Sequence, residues 1–197
     1  EVWKSDGTYE GTVLLKDITS GYDSSFPNYL TVVGDTLYFW IESAYELWKS
    51  DGTEAGTVKV ADVDSGVDFR AGNSLLYFTA SGDYGYEPWR SDGTEAGTFM
   101  LKDVYTGSSG SYGTDYGITD GDILYFAPYE RIDSTDYQPL WKSDGTVVGT
   151  NRVRIFDSIN SDLFVLNDYV YFSGDDGELG NELWKSNGTT AGTVMVK

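Results

Sequence analysis

The chain has 197 residues, 40% hydrophobic and 16% aromatic, and sets 32 acidic side chains against 13 basic ones, with no histidine and no cysteine. A formal net charge of -19 repels phosphate backbones and anionic lipid surfaces alike, which excludes nucleic acid as a partner and disfavours membranes. Without Cys or His there is no thiolate nucleophile, imidazole base or zinc site, so a bound metal would be a hard, oxygen-seeking cation such as calcium, and carboxylates offer the one familiar catalytic route.

Residues 1–18, EVWKSDGTYEGTVLLKDI, read as a hairpin: a short strand through Trp3, a turn built from Ser-Asp-Gly-Thr, then an apolar strand from Thr12 to Lys16. Residues 19–62 open with a turn at Gly34-Asp35, followed by Leu37-Tyr38-Phe39, and close on a second copy of the tryptophan hairpin, ELWKSDGTEAGTVKVADV. In 63–103 the same order returns, with Gly72-Asn73, Leu76-Tyr77-Phe78 and EPWRSDGTEAGTFMLKDV. Residues 104–157 carry a Gly/Ser/Tyr-rich connection at 105–117, the turn Gly121-Asp122, Leu124-Tyr125-Phe126, an insertion at 128–138 that lengthens one hairpin, and PLWKSDGTVVGTNRVRIF. The last unit, 158–197, holds Asn167-Asp168, Val170-Tyr171-Phe172 and ELWKSNGTTAGTVMVK.

Trp3, Trp48, Trp89, Trp141 and Trp184 stand 45, 41, 52 and 43 residues apart, the period of a four-stranded propeller blade. No window has the period of a helix, and Val, Thr, Tyr, Phe and Trp fill the runs. The expectation is an all-β protein: a β-propeller or propeller segment of four-stranded antiparallel blades, a single repeat domain over 1–197 with one half blade and four full blades. The first hairpin lacks two strands that the other terminus does not supply. Either the chain is part of a longer array, or another copy completes the open edge.

Glu46-Leu47-Trp48-Lys49-Ser50-Asp51-Gly52-Thr53-Glu54-Ala55-Gly56-Thr57, with Asp62 after it, resembles the ELWxxDGTxxGT, hyalin-like repeat family of large bacterial extracellular proteins. The resemblance covers essentially the whole chain, five times over. It implies a secreted or surface-attached bacterial protein with propeller-like architecture, and little about activity. Copy four departs from it with Pro139-Leu140, and copy five has Asn187 in place of Asp. The turn is also similar to the Asp-box of sialidase-type propellers.

Asp6, Asp51, Asp92 and Asp144 are expected to be structural turn caps, their carboxylates accepting from the N–H groups of their own turn; Asn187 can do the same through its amide oxygen. The acidic turns before two tryptophans offer a calcium set: Asp83 and Glu87 in one, Asp175, Asp176, Glu178 and Glu182 in the other. Flat aromatics outside the repeat plan, Trp40, Tyr105, Tyr112 and Tyr116, with Tyr22, Phe26 and Tyr137, are candidates for stacking on sugar rings, whereas the repeated tryptophans pack between blades. Five arginines, Arg70, Arg90, Arg131, Arg152 and Arg154, sit at different phases of the repeat and do not announce a sialidase-like cluster. The sequon Asn187-Gly188-Thr189 falls inside a tight turn.

The function expected is therefore non-catalytic: a secreted or cell-surface bacterial scaffold for adhesion, matrix or filament assembly, with other copies of itself as a partner. A glycan-binding propeller using loop aromatics, with or without calcium, is the alternative, and a carboxylate-based glycosidase comes third. No apolar run approaches the roughly 18 to 20 residues of a membrane span. The chain opens on charged Glu1 rather than a signal peptide, so a secretion signal would lie outside this sequence.

Overall fold

The structure is a computed structural model that describes residues 1–107, 110–111 and 117–196; among these there is no helix. Strands β1 (Val2–Lys4) and β2 (Val13–Lys16) form a two-stranded sheet. Strands β3 (Pro27–Val33), β4 (Thr36–Ile41), β5 (Glu46–Ser50) and β6 (Val58–Asp62) follow one another as an antiparallel meander. The plan repeats in β7 (Asp64–Ala71), β8 (Leu76–Ser81), β9 (Glu87–Ser91) and β10 (Phe99–Met100).

The third sheet joins β11 (Ile118–Asp120) and β12 (Ile123–Phe126) to β15 (Leu140–Ser143) and β16 (Asn151–Arg154), with a separate hairpin, β13 (Glu130–Ile132) and β14 (Thr135–Tyr137), inserted between. In the fourth sheet the first strand is broken into β17 (Ser158–Ile159) and β18 (Phe164–Leu166), both pairing β19 (Tyr169–Asp175), which continues to β20 (Asn181–Ser186) and β21 (Val194–Met195). The first strands β3, β7, β11 and β18 neighbour one another in sequence. Meanders ranked around shared first strands make this a propeller-type fold.

Turn chemistry sets the registers. Asn167 and Asp168 have φ of 52° and 62°, the paired left-handed conformations of a type I′ hairpin. At Gly34 and Gly121 glycine alone supplies the positive φ. Gly72-Asn73 differs from the expected two-residue turn. Neither residue has a positive φ, Gly72 N donates to Leu75 O at 2.8 Å, and Asn73 N reaches across to Gly121 O at 3.2 Å.

With registers fixed, the Phe of each Leu-Tyr-Phe run lies opposite the motif tryptophan: Phe39 and Trp48, Phe78 and Trp89, Phe126 and Trp141, Phe172 and Trp184. The rings of the first three pairs lie 6.5, 6.3 and 6.1 Å apart, within the range of favourable aromatic contact. Among the described residues four apolar clusters form the core, and each bridges consecutive sheets. Val2 and Leu15 meet Phe39 and Ile41, Leu47 and Val60 meet Leu76 and Phe78, Tyr77 and Leu101 meet Leu124 and Phe126, and Leu140 and Val153 meet Val170 and Phe172. Side-chain alternation therefore serves two neighbours: one face of each meander packs backwards, the other forwards.

Candidate functional site

The motif turn is built the same way five times. In the first full blade Asp51 Oδ1 accepts from Thr53 N at 2.9 Å and Thr53 Oγ1 at 2.7 Å, Gly56 N donates to Thr53 Oγ1, and Ser50 and Thr57 share a hydroxyl bond of 2.8 Å. Asp6, Asp92, Asp144 and Asn187 accept the equivalent pair of bonds from Thr8, Thr94, Thr146 and Thr189. Hydrogen bonds from the threonine hold the carboxyls of Asp6, Asp51, Asp92 and Asp144 below the ordinary value. Both motif glycines have a reason. The first carries φ between 81° and 92° in all five copies. At the second, a Cβ would lie 2.0 Å from Asp51 Oδ1 in Gly56 and 1.9 Å from Asn187 Oδ1 in Gly192. The capping carboxyl occupies the space a side chain would need.

The first glycine has a second use that composition alone did not reveal. A Cβ on Gly93 would lie 2.5 Å from the Tyr38 hydroxyl of the preceding blade, one on Gly145 2.5 Å from Leu75 Cδ1, and one on Gly188 2.8 Å from Lys142 Cδ. Motif lysines clamp the same turns: Lys4 Nζ donates to Gly52 O at 2.9 Å and Lys49 Nζ to Gly93 O at 2.8 Å. Asp122 adds a further tie, accepting from Ser74 N at 2.7 Å and Ser74 Oγ at 2.6 Å in the preceding blade. Tyr77 also donates its hydroxyl to Asp122 O. Burial of Tyr77, with Asp122 nearby, pushes the phenol well above its usual value.

The motif glutamates organise the outer connections. Glu1 accepts from Ile18 N at 2.6 Å, and Glu46 accepts from Trp48 Nε1 at 2.8 Å and pairs with Lys59 at 2.7 Å. Where copy four has proline, Glu130 of the inserted hairpin takes over, accepting from Trp141 Nε1 at 3.1 Å and pairing with Arg152 at 2.6 Å. Burial raises the Glu130 carboxyl, and Arg152 opposes that.

The expected calcium sets are dispersed among other duties. Glu87 is fully buried and accepts from Val104 N at 2.9 Å, Tyr105 N at 3.2 Å, Ser111 N at 3.1 Å and Ser111 Oγ at 2.7 Å. Burial, opposed by those bonds, still raises its carboxyl. Asp176 pairs with Arg154 at 2.9 Å, Asp175 accepts from Gly177 N at 2.8 Å, and Glu178 and Asp83 lie exposed. Glu182 is half-buried on β20. Among the described residues no three carboxylates converge into a metal-holding group.

Trp40 needs correction as a sugar platform: it is 6% exposed, packed in the core between the first two full blades, and donates its Nε1 to Val63 O at 3.1 Å. Both faces of β4 are covered, Phe39 and Ile41 packing towards the first hairpin and Tyr38 and Trp40 towards the next blade. Tyr105 is half-buried, with the Arg131 guanidinium 5.4 Å from its ring centre. Tyr112 and Tyr116 lie outside the described residues. Tyr22 and Phe26 are exposed and Tyr137 is half-buried.

One cleft of about 430 Å³ lies where the β6–β7 junction meets the β8–β9 turn. Asp62, Asp64 and Asp83 line it together with Tyr84, Trp89 and Met100. Sequence reasoning reached Asp83 here and missed Asp62 and Asp64: Asp64 comes to the rim through its ladder pairing with Ser81 in the same sheet, and Asp62 joins it from the end of the preceding meander.

No protein-family model matches the chain, and no curated protein does. The fold is similar to that of a puromycin hydrolase mutant in a crystal structure, with a TM-score of 0.53 at 11% identity over 86% of this chain. A nidogen/laminin complex is similar at a TM-score of 0.42 and 15% identity over 79% of the chain. The chain spans 28% of the length of the first and 57% of the second. The first likeness supports the propeller-type fold and extends no further.

Proposed function

We propose that the protein is a non-catalytic, secreted or cell-surface bacterial scaffold for adhesion, matrix or filament assembly. One observation supports the reading above others: where one blade faces another, the repeated residues are occupied in making turns and joining blades. Ser, Asp, Gly and Thr bond within the motif turn, and Trp, Phe, Tyr and Lys lie against neighbouring blades. Repetition here serves the array itself. The extracellular bacterial setting rests on the resemblance of the motif. The test is to incubate the purified chain with a panel of glycosides and esters and, in parallel, with immobilised glycans and bacterial cell-wall material. Retention without turnover is expected; saturable turnover lost on replacing a carboxylate would refute the scaffold reading.

The acidic, aromatic-lined cleft beside Trp89 favours a second reading, a glycan-binding propeller, since Tyr84 and Trp89 offer ring faces and Asp62, Asp64 and Asp83 offer acceptors for sugar hydroxyls. Calcium belongs with this reading, and an unchanged melting temperature at millimolar calcium would remove it.

A further inference from the structure

The indole N–H groups of the repeated tryptophans find acceptors on three full blades and not on the second. In the first full blade Trp48 Nε1 donates to Glu46 at 2.8 Å, and Lys59, opposite Trp48 in the ladder, pairs with that glutamate at 2.7 Å. In the fourth copy Trp141 Nε1 donates to Glu130 at 3.1 Å, and Arg152, again opposite the tryptophan, pairs with that glutamate at 2.6 Å. Tryptophan, carboxylate and cation thus satisfy one another on two blades. Trp184 has a backbone acceptor instead, Gly174 O at 3.0 Å.

On the second full blade Trp89 has lost both partners of this trio. Glu87 stands where Glu46 stands, two residues before the tryptophan, but it is fully buried and occupied by Val104 N, Tyr105 N and Ser111. Met100 lies opposite Trp89, where the other ladders place Lys59 and Arg152. Among the described residues no acceptor meets Trp89 Nε1. The cleft of about 430 Å³ lies at this place, lined by Trp89 and Met100, and its volume falls in the range of small-ligand sites, about 300–1,000 Å³. Of its carboxylates, Asp62 is held by Lys59 at 2.6 Å, whereas Asp64 and Asp83 are exposed and carry no ion pair among the described residues.

We infer that this cleft binds a hexosamine unit with a free amino group, whose ammonium supplies the cation that Lys59 and Arg152 supply beside the tryptophans of the other blades. Each part of such a ligand answers a part of the cleft. The ammonium pairs with Asp64 and Asp83, beside the aromatic rings of Tyr84 and Trp89, which attract a cation. A ring hydroxyl accepts from Trp89 Nε1. The C–H face of the pyranose covers Tyr84, which is 51% exposed, and Met100. N-acetylation removes the ligand's charge and a uronic acid carries the opposite one, so the cleft discriminates against both. The net charge of -19 draws the cation in. The inference rests on the glycan-binding reading and names the class of sugar for its cleft.

The experiment titrates the intact chain with the tetramers of chitosan, chitin and cellulose by isothermal titration calorimetry, at mildly acidic pH so that the amines are protonated, and in about 0.15 M salt to screen distant charges. Three variants accompany wild type: Trp89→Phe, which keeps a ring and removes the N–H; Asp83→Asn, in the cleft; and Asp133→Asn, the same change of charge on the exposed inserted hairpin. The chitosan tetramer is expected to bind more tightly than the other two. Trp89→Phe should weaken it roughly 2- to 10-fold and Asp83→Asn about 10-fold, with Asp133→Asn unchanged. The Trp89 indole N–H resonance, identified by its absence from Trp89→Phe, should shift on binding. Circular dichroism checks folding, and Asp83→Asn, at an exposed position, carries the test if Trp89→Phe does not fold. Equal binding of all three tetramers would overturn the amine requirement and leave the glycan-binding reading standing. Equal losses in Asp133→Asn and Asp83→Asn would reveal diffuse attraction to an acidic surface and overturn the site. Binding of none of the three would overturn the inference and the glycan-binding reading together.

Discussion

Replacing Gly145 and Gly52 by alanine, one at a time, tests whether turns seat on the preceding blade. Both glycines occupy the same motif position, with φ of 81° and 84°, so alanine meets the same backbone penalty at each, roughly 1–2 kcal/mol for a left-handed L-residue. Part of this is offset by about 0.4–1 kcal/mol from the stiffer unfolded chain. Their surroundings differ. A Cβ at position 52 meets nothing within 4 Å, because the first hairpin carries no Leu-Tyr-Phe strand to cover it. At position 145 the Cβ would lie 2.5 Å from Leu75 Cδ1 and 3.1 Å from the Tyr77 hydroxyl. Leu75 is 9% and Tyr77 0% exposed, so neither yields freely, and overpacking of this kind costs about 1–3 kcal/mol. Gly145→Ala is therefore expected to melt roughly 2–12 °C below Gly52→Ala, taking about 2–4 °C per kcal/mol for a chain of this size. Differential scanning calorimetry reads the gap. Equal melting temperatures for the two variants would refute the packing of turn glycines on the preceding blade.

Leu140→Ala should cost about 2–5 kcal/mol as a buried truncation, whereas Leu183→Ala, half-exposed at the end of the array, should cost less than about 1.5 kcal/mol; urea midpoints of the two variants compare them directly. Acid should act on the turns and on Glu87 with opposite signs. The hydrogen bonds from Thr94 depress the Asp92 carboxyl, so that stabilisation is complete above the ordinary value of 3.8 and is lost as pH falls through the folded value. Burial raises Glu87, so the folded state holds that proton more tightly, and stability declines as pH rises from the ordinary 4.5 through the folded value. Glu87→Gln, which sets an amide N–H₂ against groups that donate to Glu87, should lose about 1–3 kcal/mol at neutral pH. It should also abolish that decline in urea melts taken across the acid range; an unchanged slope would show that Glu87 does not titrate as a buried group. Gly97→Ala should displace the Asp92 carboxyl from its cap, since its Cβ would lie 2.0 Å from Oδ1, and NMR titration should then find Asp92 back near 3.8.

Period and turn chemistry were legible in the linear order of residues. The five tryptophans, the Leu-Tyr-Phe runs and the paired turn residues repeat at the length of a four-stranded meander, and each Asp-Gly-Thr turn is closed by bonds between residues two or three apart. Such features depend on local geometry, so a single strand of text contains them. Trp40 shows the limit: both faces of its strand are covered, and no count of copies could reveal that the next blade packs over this one.

What only the tertiary structure decided concerns contacts between hairpins and between blades. Proline in copy four reads as a lost glutamate until the inserted hairpin brings Glu130 to the tryptophan ring nitrogen. Asp62, at the end of one meander, joins a cleft with Asp64, Asp83 and Tyr84 of the next only when the two sheets pack. These contacts join different hairpins, and their partners are chosen by how hairpins and sheets pack on one another, which local periodicity does not encode.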